Sequence, residues 1–293
     1  MSGYLNPDFA SISENPRSAA LSLLRQSGLE DVAPVDPISL CEINDWPLEY
    51  QELQQPGVLA TTLSGKGRIE IVLNVRDSDN KSGLSADTTL RRRQRFSLSH
   101  EIAHAWFNSH NNDKLQKRLT DPENPHSFRY VRLRERQANE FASELLLPHN
   151  LLKTRLRTFD WKDFWNSTNS LCDEFDVSVS ATVLHLAKLA PFSSIALIFA
   201  ENGQSNQVPS WSPDFEEAKF FFNSSGAIPQ GSLAHRLFND DKAKLSCQRH
   251  RSARIWFPSK KNADKYTIDE WVLRIGNKGF LVFLAIDEDP DWN

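Results

Sequence analysis

The spacing of apolar residues changes period several times along the chain, and each change marks an element. From residue 88 to 107 no Gly or Pro intervenes, and Phe96, His100, Ala103, Trp106 and Phe107 recur at helical spacing. The pattern predicts a helix with one largely buried face, on which two histidines stand among aromatic residues. A second amphipathic helix is predicted from Glu135, with Ala138, Phe141, Ala142, Leu145 and Leu146 as its stripe and Pro148 at its end. Upstream, residues 16–28 read as a helix with Pro16 near its start, and Asp36-Pro37-Ile38-Ser39-Leu40 begins a short second one. Residues 46–53, 58–63 and 69–75 alternate or run apolar, as strands of a small antiparallel sheet would. Helices are expected at 149–158 and 161–174. Phe175 to Ser180 then leads into another at 181–189, a helix-turn-helix outline. From about 192 the pattern turns to strands at 195–200, 218–222, 253–257, 267–275 and 280–286, separated by Gly, Pro, Asn and Ser. The fold class implied is α+β in three parts, 1–148, 149–191 and 192–293.

The two histidines change the picture. His100-Glu101-Ile102-Ala103-His104 stacks two imidazoles on one helix face. Such a pair can hold one Zn²⁺, with Glu101 beside the metal to take a proton from its bound water. Two ordinary surface histidines would leave the flanking aromatic residues without a reason. Catalytic zinc normally has three protein ligands, so a third is needed. His110 stands six residues beyond His104, the metzincin distance, but Phe107 occupies the Gly position of that motif. Six helical residues turn the chain by about 600°, which points His110 away unless the helix breaks. Phe107 is poorly suited to the left-handed backbone of such a break. The only methionine is Met1, so a Met-turn is excluded. Glu135 is the second candidate. It shares a helix face with Asn139, an amide able to orient a ligand by hydrogen bonding. Glu140 and Glu144 read as a solvated charged face.

The run from Arg95 to His104, followed by Glu135-x-x-Ala138-Asn139-x-Phe141-Ala142-x-x-Leu145-Leu146-x-Pro148, resembles the ImmA/IrrE family of zinc metallopeptidases over roughly residues 15–190. The downstream Glu pattern is also similar to the ligand helix of gluzincins. One departure is Ala103, where many members have Gly; a second is the long stretch from Asn108 to Arg134. The resemblance implies a zincin-like peptidase domain at 1–148, with Zn²⁺ as cofactor, His100, His104 and Glu135 as ligands, and Glu101 as base. It implies a protein substrate, a helix-turn-helix repressor whose cleavage relieves repression in a stress, mobile-element or defence response. Tyr130, His126 and His110 are available as oxyanion donors, and Tyr130 is preferred because a phenol can reach a metal-bound oxyanion. The same ligand types accept Mn²⁺ or Fe²⁺. Some relatives carry a GAF-like sensory domain where this chain has residues 192–293, and the strand-rich pattern is compatible with one. The alternative function is a non-catalytic binding or regulatory partner on the same fold.

Composition narrows this further. The chain has 293 residues, 39% hydrophobic and 25% charged, enough for two or three domains. No apolar run approaches a membrane span and no signal-peptide core is visible, so a cytoplasmic protein with no membrane partner is expected. Cys41, Cys172 and Cys247 are scattered and offer neither a disulfide framework nor a rival metal site. A net charge of -4 argues against bulk nucleic-acid binding. Residues 161–190 offer only Lys162 and Lys188 against Asp163, Asp173, Glu174 and Asp176, so no direct DNA contact is expected there. The segment 149–191 is instead expected to pack on the peptidase domain or a partner. Lys242, Lys244, Arg249, His250, Arg251 and Arg254 read as a solvated loop ahead of an anion site.

Overall fold

The computed structural model describes residues 15–65, 68–110, 127–205, 209–222, 226–240, 244–275 and 279–288. The chain is α+β and divides into two compact units, Met1–Ser178 and Val179–Asn293.

In the first unit, helix α1 (Pro16–Gln26) begins at Asn15, whose side chain accepts from the Arg17 and Ser18 N–H groups. Asp36 starts α2 (Pro37–Ile43) in the same way. Strands β1 (Leu48–Gln51), β2 (Ala60–Gly65) and β3 (Arg68–Asn74) pair in the order β1-β3-β2. The expected antiparallel sheet is corrected here: β2 and β3 form an antiparallel hairpin, but β1 runs parallel to β3. The reason is burial. Ile71, Val72 and Leu73 of β3 are wholly buried, and a central position covers so apolar a strand from both edges. Residues 52–59 therefore cross the end of β3, where Asn74 fastens them by accepting from the Leu53 N–H and donating to the Val58 carbonyl.

Helix α3 (Thr88–His110) lies against β2 and β3 and against α4 (Ser127–Leu146). Leu98, Ile102, Ala103, Trp106, Phe107, Ala138, Phe141 and Leu145 share one core, with the Phe107 and Phe141 rings 5.6 Å apart. Glu144, expected on a solvated face, is buried. Its carboxylate accepts from the His149 N–H at 2.7 Å and so starts α5 (His149–Leu156).

The next helix, α6 (Phe164–Phe175), ends on Asp176 in the left-handed region at φ 49°. Three arginines of α3 meet this end. Arg91 donates to both Asp176 carboxylate oxygens at 2.8 and 3.0 Å. Arg92 donates to Asp176 Oδ1 at 3.2 Å and to the Cys172 carbonyl at 3.0 Å. Arg95, nearly buried, donates to the carbonyls of Val35, Phe175 and Asp176. The guanidinium groups thus fill carbonyls that a helix C-terminus leaves unpaired and place positive charge where its dipole is negative.

In the second unit, α7 (Val179–Leu189) precedes a five-stranded antiparallel sheet of β4 (Ser193–Phe199), β5 (Ser210–Trp211), β6 (Leu245–Ser252), β7 (Tyr266–Ile275) and β8 (Gly279–Glu288), in the order β5-β4-β8-β7-β6. One face, with Leu197, Val272, Val282 and Leu284, packs on Phe215, Phe220, Leu233, Leu237, Trp256 and Phe257. Two of these come from short helices, Phe215 from α8 (Pro213–Glu217) and Leu233 from α9 (Leu233–Phe238). Helix α7 packs against β4 and β5, and Ser194 donates to its Ala187 carbonyl at 2.9 Å. The expected segment 149–191 is therefore divided between the units, with α5 and α6 in the first and α7 in the second.

Two expected strands are corrected. Residues 253–257 form a 3₁₀ turn, Ala253–Ile255, which carries Trp256 and Phe257 into the same core. A strand would send those neighbours to opposite faces. Residues 218–222 alternate in burial but join no ladder, because Lys219 sits at φ 56° just after α8. Conversely, the basic run at 245–252 is the edge strand β6, where charge keeps an open edge from pairing with other chains.

The arginine cluster has a measurable consequence. Burial pushes the Asp176 carboxyl up, but the hydrogen bonds and charges of Arg91, Arg95 and Arg92 outweigh it and hold its pKa below the ordinary carboxylate value. Its stabilisation is therefore complete above about pH 4 and is lost as pH falls through the lowered value. Asp176→Asn is expected to cost about 3 kcal/mol at neutral pH. Denaturant titrations of both proteins between neutral and acid pH should show that deficit shrinking as the pH falls.

Candidate metal centre

The site is assembled from two helices. His100 and His104 stand one turn apart on α3, and Glu135 and Asn139 one turn apart on α4. His100 Nε2 and His104 Nε2 are 3.0 Å apart. Glu135 Oε2 lies 3.2 Å from His100 Nε2, and Glu135 Oε1 lies 3.4 Å from His104 Nε2. Two ligands each about 2.1 Å from a tetrahedral ion stand about 3.4 Å from one another. The three atoms thus already hold the spacing of a zinc ligand set, and they form the one His/Cys/Asp/Glu group of this kind among the described residues.

The surroundings suit ligation. His100 Nδ1 is 3.0 Å from Asn139 Oδ1, so Nδ1 carries the proton and Nε2 presents its lone pair. Burial, followed by the nearby His100 charge, pulls the His104 pKa down to about 4 against the pull of Glu135. A neutral imidazole is the form that binds metal. The histidine side chains are 15% and 20% exposed and Glu135 is 51% exposed, so the group opens to solvent on the Glu135 side. Arg134, next to Glu135, stacks over the Phe107 ring at 5.0 Å and donates to Asn108 Oδ1.

Glu101 is half-buried beside this group. Burial raises its pKa above the ordinary carboxylate value, the Glu135 charge adds to that, and Thr62 and His100 act in the opposite sense. Thr62 also donates from Oγ1 to the Glu101 backbone carbonyl at 3.3 Å. It was not among the residues singled out in the sequence. Its signal there is slight, a hydroxyl on a strand face otherwise lined by Ala60, Ile71 and Leu73.

The structure brings together His100, Glu101, His104, Glu135 and Asn139. The backbone of α3 stays helical through Phe107 to His110, with no break there. The side chains of His110 and Tyr130, and the whole of His126, lie outside the described residues.

Residues 84–186 match the family model Peptidase_M78, described as IrrE N-terminal-like domain. These residues belong to the ImmA/IrrE family. The match runs across α3 to α6 and most of α7, so it contains both metal-bearing helices. No curated protein matches the chain in sequence. Among solved structures the chain is similar to a Mycobacterium tuberculosis transcriptional regulator, at 14% identity and a TM-score of 0.62, covering 96% of this chain and 78% of that one. At that identity the likeness concerns the fold alone. No described helix is long and apolar enough to cross a membrane.

The ImmA/IrrE-type ligand set predicts one zinc per chain. Replacing His100, His104 or Glu135 by Ala should abolish stoichiometric binding in competition with a chromophoric chelator, while His110→Ala should leave it unchanged. Asn139→Ala removes only the partner of His100 Nδ1 and should weaken zinc about tenfold to a hundredfold.

Proposed function

We propose that this protein is a zinc-dependent endopeptidase that cleaves one specific protein, a helix-turn-helix repressor, and so relieves repression in a stress, mobile-element or defence response. The observation that carries the reading is the ligand-like spacing of His100, His104 and Glu135 with the Glu101 carboxylate beside it. Zinc bound there would acidify a water molecule and polarise a scissile carbonyl. Glu101 is the base: it takes the proton of the attacking water and returns it to the leaving amine. Its raised pKa favours that exchange near neutral pH. Asn139 keeps His100 in the ligating tautomer. Tyr130 remains the proposed oxyanion donor.

Strand β2 supports an extended substrate. It is the outer strand of its sheet among the described residues, it adjoins the helix of the metal group, and its Leu63 is 50% exposed. A peptide could add there by main-chain hydrogen bonds, with Leu63 offering apolar contact. The burial of Thr182, Val183, Leu186 and Ala187 of α7 supports a protein partner over direct DNA contact. The antiparallel sheet of Val179–Asn293, with α7 packed on it, supports a GAF-like reading of that unit. We place the protein in the cytoplasm, where its repressor substrate would be.

The zinc-loaded chain, incubated with the helix-turn-helix protein encoded beside its gene, should yield two fragments by mass spectrometry. Chelator should prevent cleavage. Glu101→Gln should still bind zinc yet cleave at least about a hundredfold more slowly. Undiminished cleavage by Glu101→Gln would sink the mechanism, and full biological output without cleavage would assign a binding role instead.

A further inference from the structure

Side chains of a strand alternate between the two faces of its sheet. Thr62 of β2 lies opposite Ile71 of β3, and Ala60 opposite Leu73. Thr62 therefore shares the inner face with residues of the apolar core, the face that meets α3. A Val at this place would bury more apolar surface and suit a strand at least as well.

The hydroxyl has one partner region, Glu101. Thr62 Oγ1 donates to the Glu101 carbonyl at 3.3 Å. That carbonyl is already provided for, since a mid-helix carbonyl receives the N–H four residues on. The same hydroxyl and the Thr62 backbone N–H face the Glu101 carboxylate and favour its ionised form. A Glu side chain has several rotatable bonds, and only a narrow set of its rotamers puts a carboxylate oxygen within reach of one proton. Misplacement by about 1 Å can cost about a hundredfold in rate.

We propose that Thr62 is a positioning residue that holds the Glu101 carboxylate toward the metal group, from the same strand that would receive an extended substrate. The inference rests on the peptidase reading above and adds a link to it. The strand that aligns the scissile bond also aligns the base, so both are referred to one element. Glu101 is fixed from its far side by Thr62, as His100 is fixed from its far side by Asn139.

The test needs no peptide. Acetohydroxamate chelates zinc through two oxygens and shares a proton with a neighbouring base, so its affinity reports where Glu101 sits. Calorimetric titration of the zinc-loaded full chain with acetohydroxamate should show binding about tenfold weaker in Thr62→Val, the scale of one hydrogen bond to a charged group. Thr62→Ser, which keeps the hydroxyl, should restore it. Zinc affinity should be the same in all three proteins, and Glu101→Gln sets the full loss. Wild-type acetohydroxamate binding by Thr62→Val, with Glu101→Gln impaired, would overturn the role of Thr62 and leave the peptidase reading standing. Wild-type binding by Glu101→Gln would overturn both. A parallel loss of zinc affinity in Thr62→Val would make Thr62 a support of helix α3 and overturn the proposal.

Discussion

The contact between α3 and α4 is the constraint on which the first unit depends, because neither helix carries a complete metal group. Each presents half of it in a matching frame: His100-x-x-Ala103-His104 on one helix and Glu135-x-x-Ala138-Asn139 on the other. In both, a wholly buried alanine sits between the two polar positions, within a single core. Helix axes approach closely only where the side chains between them are small. A larger residue at Ala103 or Ala138 would push the helices apart and stretch ligand distances that now lie between 3.0 and 3.4 Å. Phe107 and Phe141 then set the rotation by ring contact one turn further along. The phenylalanine that rules out a metzincin break is thus a packing residue of the helix pair.

Holding α3 in place falls to longer-range polar contacts. Gln94 joins it to the sheet by accepting from Ser85 N–H and donating to the Asn74 carbonyl, and both groups are buried. Arg95 joins it to Val35 and to the end of α6. These bonds are more specific than the apolar contacts around them, since a buried donor left unpaired costs a full desolvation penalty. Apolar packing gives the helix its depth, and the polar contacts give it its register.

What could be read from the sequence divides along the same line. The motif at 100–104, the helix at 135–148 and the caps at Asn15 and Asp36 are local, because each rests on residues within one or two helical turns. The partners of Arg91 and Thr62 lie 85 and 39 residues away, and no periodicity reports them. The parallel course of β1 was hidden for a similar reason: strand patterns give faces, while direction depends on which strand the core needs at its centre. In the second unit, alternation at 218–222 reported one-sided burial correctly without reporting pairing. At β6 the charges that protect an edge masked the strand beneath them. His110, a candidate on spacing alone, was set aside by a backbone argument that the unbroken helix through Phe107 bears out.

The centre is also arranged so that its parts oppose one another until a cation joins them. Two imidazole nitrogens face each other at 3.0 Å, and burial holds His104 neutral down to about pH 4, so protonation cannot readily relieve that contact. Asn139 occupies His100 Nδ1, which commits Nε2 to the shared point. A carboxylate there draws charge toward the histidines while its own second face is open to water. Each feature removes one alternative partner from the ligand atoms, and the one species that satisfies all three at once is a small cation. The ordering cost of such a site is met by folding rather than at the moment of binding, which is how a preorganised centre gains affinity without additional contacts.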